Sequence, residues 1–223
     1  MILGAGNSSR MDGTDKVFAP LGEYPLLFWS VSAFQRCSAV HRIVLVMNHV
    51  NLPLAKALVD EAGLTKVHGV LLGGQRRQDS VYEGLKALEG CQWVMIHDGA
   101  RPLVSEEIII RGLLEARKTS AAVPGVPVKD TIKRVDREGI VTRTLRRQRL
   151  WAIQTPQVFR YDVILDAHQR VSKDVTDDAS MVELCGGTVT IFPGSPFNLK
   201  VTEPDDLILA EALLRSHASR DGV

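Results

Sequence analysis

The sequence predicts an α/β fold: a mostly parallel, twisted sheet with helices on both faces and a β-hairpin arm projecting from it. Short β-branched apolar runs alternate with helix-length amphipathic stretches, the pattern of strands joined by crossover helices. At 223 residues, with 45% hydrophobic and 24% charged residues, the chain suits one sizeable domain over residues 1–223 with a substantial core. A single segment, residues 129–149, breaks the rhythm by alternating β-branched with charged residues.

The elements follow in order. Met1, Ile2 and Leu3 read as the end of a first strand, so short that it leaves open whether residues precede Met1. A helix is predicted at 25–35, then a strand at 42–47 (RIVLVM), a helix at 52–62 and a strand at 67–72 (VHGVLL). A helix at 78–88 leads to a strand at 93–97 (WVMIH), a helix at 106–118 and a strand at 121–126. After the irregular segment come a strand at 152–155, a helix at 161–171 and a strand at 189–193. The last helix, 203–216, is the best marked: Thr202-Glu203-Pro204-Asp205 offers an N-cap threonine, an early proline and an acid three residues on.

Residues 129–149 read as a two-stranded hairpin turning at Asp136-Arg137-Glu138-Gly139, with both faces polar. An isolated hairpin is marginal in water, so residues 127–150 are expected to form a β-arm that packs on a second copy of the chain. Its eight basic and three acidic residues would suit nucleic acid, but it holds no aromatic residue for base stacking.

A formal net charge of +1 gives no global attraction to nucleic acid or membrane. The cysteines Cys37, Cys91 and Cys185 are far apart and without metal-ligand spacing, which predicts reduced thiols in the cytoplasm. No signal peptide is evident at Met1, and no apolar run approaches the ~20 residues that span a bilayer.

The first loop, GAGNSSRMDGTDK (residues 4–16), looks half like a dinucleotide fingerprint, but Ser9 stands where the third glycine belongs and no acidic ribose ligand follows the 42–47 strand. A P-loop fails too, because Lys16 follows Asp15 rather than glycine. What survives is a small-residue loop whose backbone N–H groups can face an anion, followed by two cations, Arg10 and Lys16. An ordinary turn with two solvated bases would look the same. Further constellations sit at strand ends: Gly73-Gly74-Gln75-Arg76-Arg77-Gln78-Asp79-Ser80, and His97-Asp98-Gly99-Ala100-Arg101-Pro102. Asp98 there suits a metal or a substrate hydroxyl, against the plainer reading of an Asp98–Arg101 ion pair. Gln154-Thr155-Pro156-Gln157 and Thr176-Asp177-Asp178-Ala179-Ser180 read equally well as a loop and a helix cap. Asn198-Leu199-Lys200-Val201-Thr202 places Lys200 inside a short apolar strand, where it is expected to face a bound anion.

Taken together and in this order, GAGNSSRM with Lys16, GGQRRQDSV, HDGARP, DTIK, LWAIQTPQ, TDDAS and NLKVTEPDDL resemble the 2-C-methyl-D-erythritol 4-phosphate cytidylyltransferases of non-mevalonate isoprenoid synthesis. The resemblance implies a Rossmann-like nucleotidyltransferase core, an arm-swapped homodimer and transfer of CMP from CTP to the sugar-alcohol phosphate with Mg2+ on the triphosphate. By that likeness Gly4, Ala5, Gly6, Ser8, Arg10 and Lys16 wrap the triphosphate, while Gly74, Gln75 and Ser80 contact the cytosine and ribose. Asp98, Arg101, Thr176 and Lys200 then lie by the methylerythritol phosphate, with Thr131, Arg147 and Thr155 approaching from the side of the partner's arm. Arg10, Lys16, Arg147 and Lys200 are the implied catalytic set; protein ligands to the metal are not specified. The chain departs from the family pattern at Ser8, Asp15, Gln75 and Gly99. The nearest rival is a ribitol 5-phosphate cytidylyltransferase. A noncatalytic nucleotide-binding module is the other, and it has no need of a cation placed at the α-phosphate.

Overall fold

The computed structural model describes residues 1–6 and 16–218. β1 (Ile2–Gly4) opens the chain. A 3-10 turn at Lys16–Phe18 leads into a two-stranded ribbon, β2 (Pro20–Leu21) and β3 (Tyr24–Pro25), turned at Gly22 with a positive φ of 62° that suits glycine. There follow α1 (Leu26–Arg36), β4 (Ile43–Met47), α2 (Asn51–Glu61), β5 (Val67–Leu72), α3 (Arg77–Ala87), β6 (Trp93–Asp98), α4 (Glu106–Thr119) and β7 (Ala121–Pro127). The arm is β8 (Lys133–Val135) and β9 (Val141–Thr144). β10 (Trp151–Ile153), β11 (Gln157–Arg160), α5 (Tyr161–Arg170), α6 (Asp178–Leu184), β12 (Thr190–Pro193) and α7 (Pro204–Ala218) complete the chain.

The main sheet has the order β10-β7-β11-β6-β1-β4-β5, with β12 also paired to β7. β1 runs parallel to β4 and β6, β4 to β5, and β12 to β7; β11 is antiparallel to β6 and β7, and β10 to β7. The alternation of side chains in β4 explains why its run is apolar throughout. Ile43, Leu45 and Met47 join one core cluster, with Leu27 of α1, Leu58 of α2 and Ile109 of α4. Val44 and Val46 join the other, with Leu85 of α3, Ile164 of α5 and Met181 of α6. Both faces are buried, so no polar position is left in the strand.

The chain leaves β1 toward β4 and β5, then crosses back to β6 on the other side of β1. That reversal makes the carboxyl end of β1 the crevice where α/β sheets hold ligands.

Four details differ from expectation. β11 arises at a stretch, QVFR, too short and too close to Pro156 to show a strand period, and it fills the space between β6 and β7. The strand expected at 152–155 stops at Ile153: the Gln154 N–H still reaches the Pro124 carbonyl opposite it, but Pro124 has no N–H to return the bond, and the Thr155 side chain turns to β6. The 198–202 segment is no strand at all: it is docked by single bonds such as Val201 N–H to the Ala100 carbonyl at 2.8 Å. α7 starts at Pro204, and Asp206, rather than Asp205, closes its first turn by accepting from Thr202 N–H and Oγ1–H, both at 2.7 Å, and from Glu203 N–H at 3.0 Å.

The two-stranded hairpin expected here forms. Asp136 Oδ1 accepts from the N–H groups of Glu138 and Ile140, and Gly139 takes a φ of 81°. Both strands are exposed on both faces, and Ile140 is left 64% exposed at the tip.

Candidate active site

Two clefts open side by side at the carboxyl ends of the strands. The first, about 550 Å³, is lined by Gly4, Ala5, Gly6 and Lys16 from the β1 loop and by Gly73, Gly74, Gln75 and Ser80 from the β5–α3 loop. These two loops pack tightly: a Cβ on Gly73 would stand 2.6 Å from both Ala5 Cβ and Ser80 Oγ, and one on Gly74 would stand 2.4 Å from Asp79 Cβ. Ser80, almost fully buried, accepts the Gly74 N–H on its Oγ at 3.1 Å, which fixes the loop above α3. Arg76 crosses this loop, pairing with Asp79 at 2.7 Å and with Asp174 at 3.0 Å. Ser8 and Arg10 lie outside the described residues.

The second cleft, about 620 Å³, is lined by Arg101, Gln154, Thr155, Thr176 and Asp177, with Arg149 and Trp151 from the base of the arm. Arg77, Asp98 and Lys200 line both clefts and form the seam between them. Thr131 and Arg147 line neither: they are exposed on the arm segment, and the Arg147 guanidinium holds the Lys129 carbonyl.

The seam is built around one carboxylate. Asp98 Oδ2 lies 3.0 Å from Lys200 Nζ and 3.6 Å from Arg101 Nε, and Oδ1 lies 3.9 Å from the Arg77 guanidinium. Burial alone would raise the Asp98 pKa, but Lys200, Arg77 and Arg101 outweigh it and hold the group well below the usual carboxylate range. The anion that Lys200 faces in the structure is therefore Asp98, and the Asp98–Arg101 pair read as the plainer alternative is present. Arg101 also donates to the Asn198 carbonyl at 2.7 Å, while Asn198 Nδ2 donates to the Thr155 carbonyl at 2.9 Å. Gln154 Nε2 donates to the Ser195 carbonyl at 2.7 Å. These bonds bring Lys200 to the seam without a strand.

Behind Asp98 lies a buried histidine that sequence reasoning named within a motif but gave no role. His97 Nε2 is 3.2 Å from the Arg101 carbonyl, which can only accept, so Nε2 carries the proton and Nδ1 is an acceptor. Nδ1 then accepts from the Thr155 hydroxyl at 3.0 Å, and the same hydroxyl oxygen accepts the Asp98 N–H at 3.0 Å. Burial lowers the His97 pKa to about 3 against the opposing pull of Asp98, so this imidazole is neutral. Thr155 is thus 5% exposed with its hydroxyl turned inward, holding Asp98 in place. Arg77 and Asp178 are further residues that lay inside sequence motifs without a role. Asp178 is fully buried and 2.7 Å from Arg77.

Comparison with known proteins fits this geometry. The family profile for 2-C-methyl-D-erythritol 4-phosphate cytidylyltransferase matches residues 1–216. A protein of that name from Dehalococcoides mccartyi (strain CBDB1) is 48% identical over 215 residues, covering 96% of this chain and 95% of its own. One from Shouchella clausii (strain KSM-K16) is 41% identical, covering 99% and 97%. Among solved structures, the 2-C-methyl-D-erythritol 4-phosphate cytidylyltransferase of Thermus thermophilus superposes with a TM-score of 0.79 at 32% identity, covering 96% and 97%. The 4-diphosphocytidyl-2C-methyl-D-erythritol synthase of Anaerococcus prevotii DSM 20548 superposes with a TM-score of 0.85 at 28% identity, covering 96% and 94%. The chain belongs to the 2-C-methyl-D-erythritol 4-phosphate cytidylyltransferase family.

Proposed function

We propose that the two clefts divide the substrates of the family's reaction and that the chemistry takes place at the seam between them. The protein is a cytidylyltransferase: it transfers CMP from CTP to 2-C-methyl-D-erythritol 4-phosphate, giving 4-diphosphocytidyl-2-C-methyl-D-erythritol and pyrophosphate. CTP enters the first cleft, with its triphosphate against the Gly4-Ala5-Gly6 backbone and Lys16 and its base and ribose by Gly74, Gln75 and Ser80. The sugar-alcohol phosphate enters the second, by Arg101 and Thr176. The observation that carries this division is that Arg77, Asp98 and Lys200 line both clefts.

The acceptor phosphate has a second pKa of about 6 and is mostly a dianion at neutral pH, so no base is needed to make it a nucleophile. The neutral, inward-turned His97 accords with this. A phosphate oxygen attacks the α-phosphorus, the new P–O bond forms, and the bond to the β-phosphate oxygen breaks opposite it with its electron pair leaving on pyrophosphate. Repulsion between anions dominates the barrier, so fixed cations supply the catalysis: Lys200 at the seam, Lys16 at the β1 loop and Arg10 beyond the described residues.

Among the described residues no three acids, histidines or cysteines gather to hold a metal, and Asp98 is already met by three cations. The donor set therefore fits Mg2+ carried by triphosphate oxygens and water rather than by a protein cage. Such an ion, when bound, would offset part of the negative charge on the triphosphate and on the departing pyrophosphate.

The exposed Thr131 and Arg147 support an arm that completes the second cleft of a partner subunit in a homodimer. No helix among the described residues is long and apolar enough to cross a membrane. Cys37, Cys91 and Cys185 are unpaired, which supports a reducing cytoplasm.

The test is turnover with CTP and each of two acceptors. Methylerythritol phosphate should be used far faster than ribitol 5-phosphate; faster formation of CDP-ribitol would overturn the assignment of substrate.

A further inference from the structure

Arg77 and Asp178 tie the two halves of the site together from behind. Arg77 is the first residue of α3, directly after the loop assigned to the nucleotide, and Asp178 is the first residue of α6, two residues after Thr176. The Asp178 side chain is 1% exposed, and one of its oxygens lies 2.7 Å from the Arg77 guanidinium. His168, its side chain 2% exposed, stands 3.6 Å from the other oxygen. An unpaired carboxylate would be costly at such a depth, and the cation that meets it stands at the seam between the clefts.

The pair also sets a distance. Lys200 and Arg101 both take Asp98 Oδ2, whereas Oδ1 meets Arg77 only at 3.9 Å. An unanchored guanidinium, with its fork of donors, would close that gap and take a carboxylate with both arms. Anchored to Asp178, it stops short.

We propose that Arg77 is a positioning residue for the transfer: pinned by Asp178 and backed by His168, it orients Asp98 while leaving Oδ1 open to accept a hydroxyl of the sugar-alcohol phosphate. This rests on reading the second cleft as the acceptor site. A purely structural role for the pair predicts something different, because removing both charges together spares a buried site the cost of one unpaired ion.

The experiment compares the full-length wild type with Arg77→Met, Asp178→Leu and the double variant, reading Tm and the KM for each substrate. Each single variant should lower Tm, and the double should recover much of the loss. Arg77→Met and the double should still show an acceptor KM raised ~10-fold with the CTP KM within about twofold. A double variant with recovered Tm and wild-type acceptor KM would show the pair to be structural, as would equal rises in both KM values. Should the double fail to fold, Asp178→Asn keeps the side-chain shape, and an unchanged acceptor KM in it sinks the proposal. A wild type that makes no product from methylerythritol phosphate would instead overturn the functional reading.

Discussion

The Lys200 ammonium lies 3.0 Å from the Asp98 carboxylate, on the line where the two clefts meet. When an acceptor dianion arrives, Lys200 has a second anion to hold, and its charge acts where the transition state gathers negative charge. Lys200→Met should lower kcat by ~10²–10³-fold, the usual cost of one preorganised electrostatic contact. Steady-state kinetics at saturating substrates would show it; a loss below about threefold would remove Lys200 from the catalytic set.

Lys16 stands across the first cleft on the β1 loop. If its charge matters most in the transition state, Lys16→Ala should reduce kcat strongly while CTP binding by calorimetry weakens only a fewfold. A change confined to KM would make it a binding residue only.

Gly73 sits where two loops touch, and a methyl group there would stand 2.6 Å from both Ala5 Cβ and Ser80 Oγ. Neither neighbour is a flexible chain end, so Gly73→Ala should force the loops apart at a cost of ~1–3 kcal/mol. We expect a weaker CTP KM with the acceptor KM nearly unchanged. Equal rises in both would mean that the loops move as one body with the second cleft.

His97 makes stability depend on pH. Its folded pKa is lowered to about 3, from 6.5. Below pH 6.5 the unfolded chain takes up a proton that the folded one refuses, so stability is full above that pH and falls as the pH drops toward 3. The slope is ~1.4 kcal/mol per pH unit for one such group. Asp98, also lowered, adds loss in the same direction, but only below its ordinary 3.8. Urea melts of wild type and His97→Gln from about pH 7 to about pH 4.5 would isolate this contribution: the variant should be less stable at neutral pH and show a shallower slope. Parallel slopes would mean that His97 protonates freely in the folded state.

Arg147 and Lys16 allow the shared site to be tested by mixing. If the arm of one subunit completes the cleft of the other, Arg147→Ala and Lys16→Ala subunits, each nearly inactive alone, should regain about a quarter of wild-type activity when re-dimerised, since a two-fold dimer then carries one intact site in each heterodimer. No recovery would place Arg147 outside the partner's cleft. Arg147→Ala alone should weaken acceptor use and leave CTP binding near wild type.

Local sequence is enough to dictate the layering of this protein. Strand runs such as IVLVM are apolar at every position, which requires both faces of the sheet to be covered, and the glycine-bearing turns after 72 and 98 mark where the strands end. Those local signals also placed Gly74, Ser80 and Asp98 at strand ends on one edge. What faces what was left to the packing of whole elements. β11 was illegible because four residues carry too little period and its place depends on gaps left by β6 and β7. Lys200 looked like part of a strand because its neighbours are apolar, yet bonds to Arg101, Gln154 and Thr155, all outside it, hold that stretch as a loop. The roles of His97, Arg77 and Asp178 were likewise invisible, because each depends on a partner supplied by another element. Short-range pattern dictates which residues lie inside; the pairing of buried charges and hydrogen bonds is settled only when separate elements are packed together.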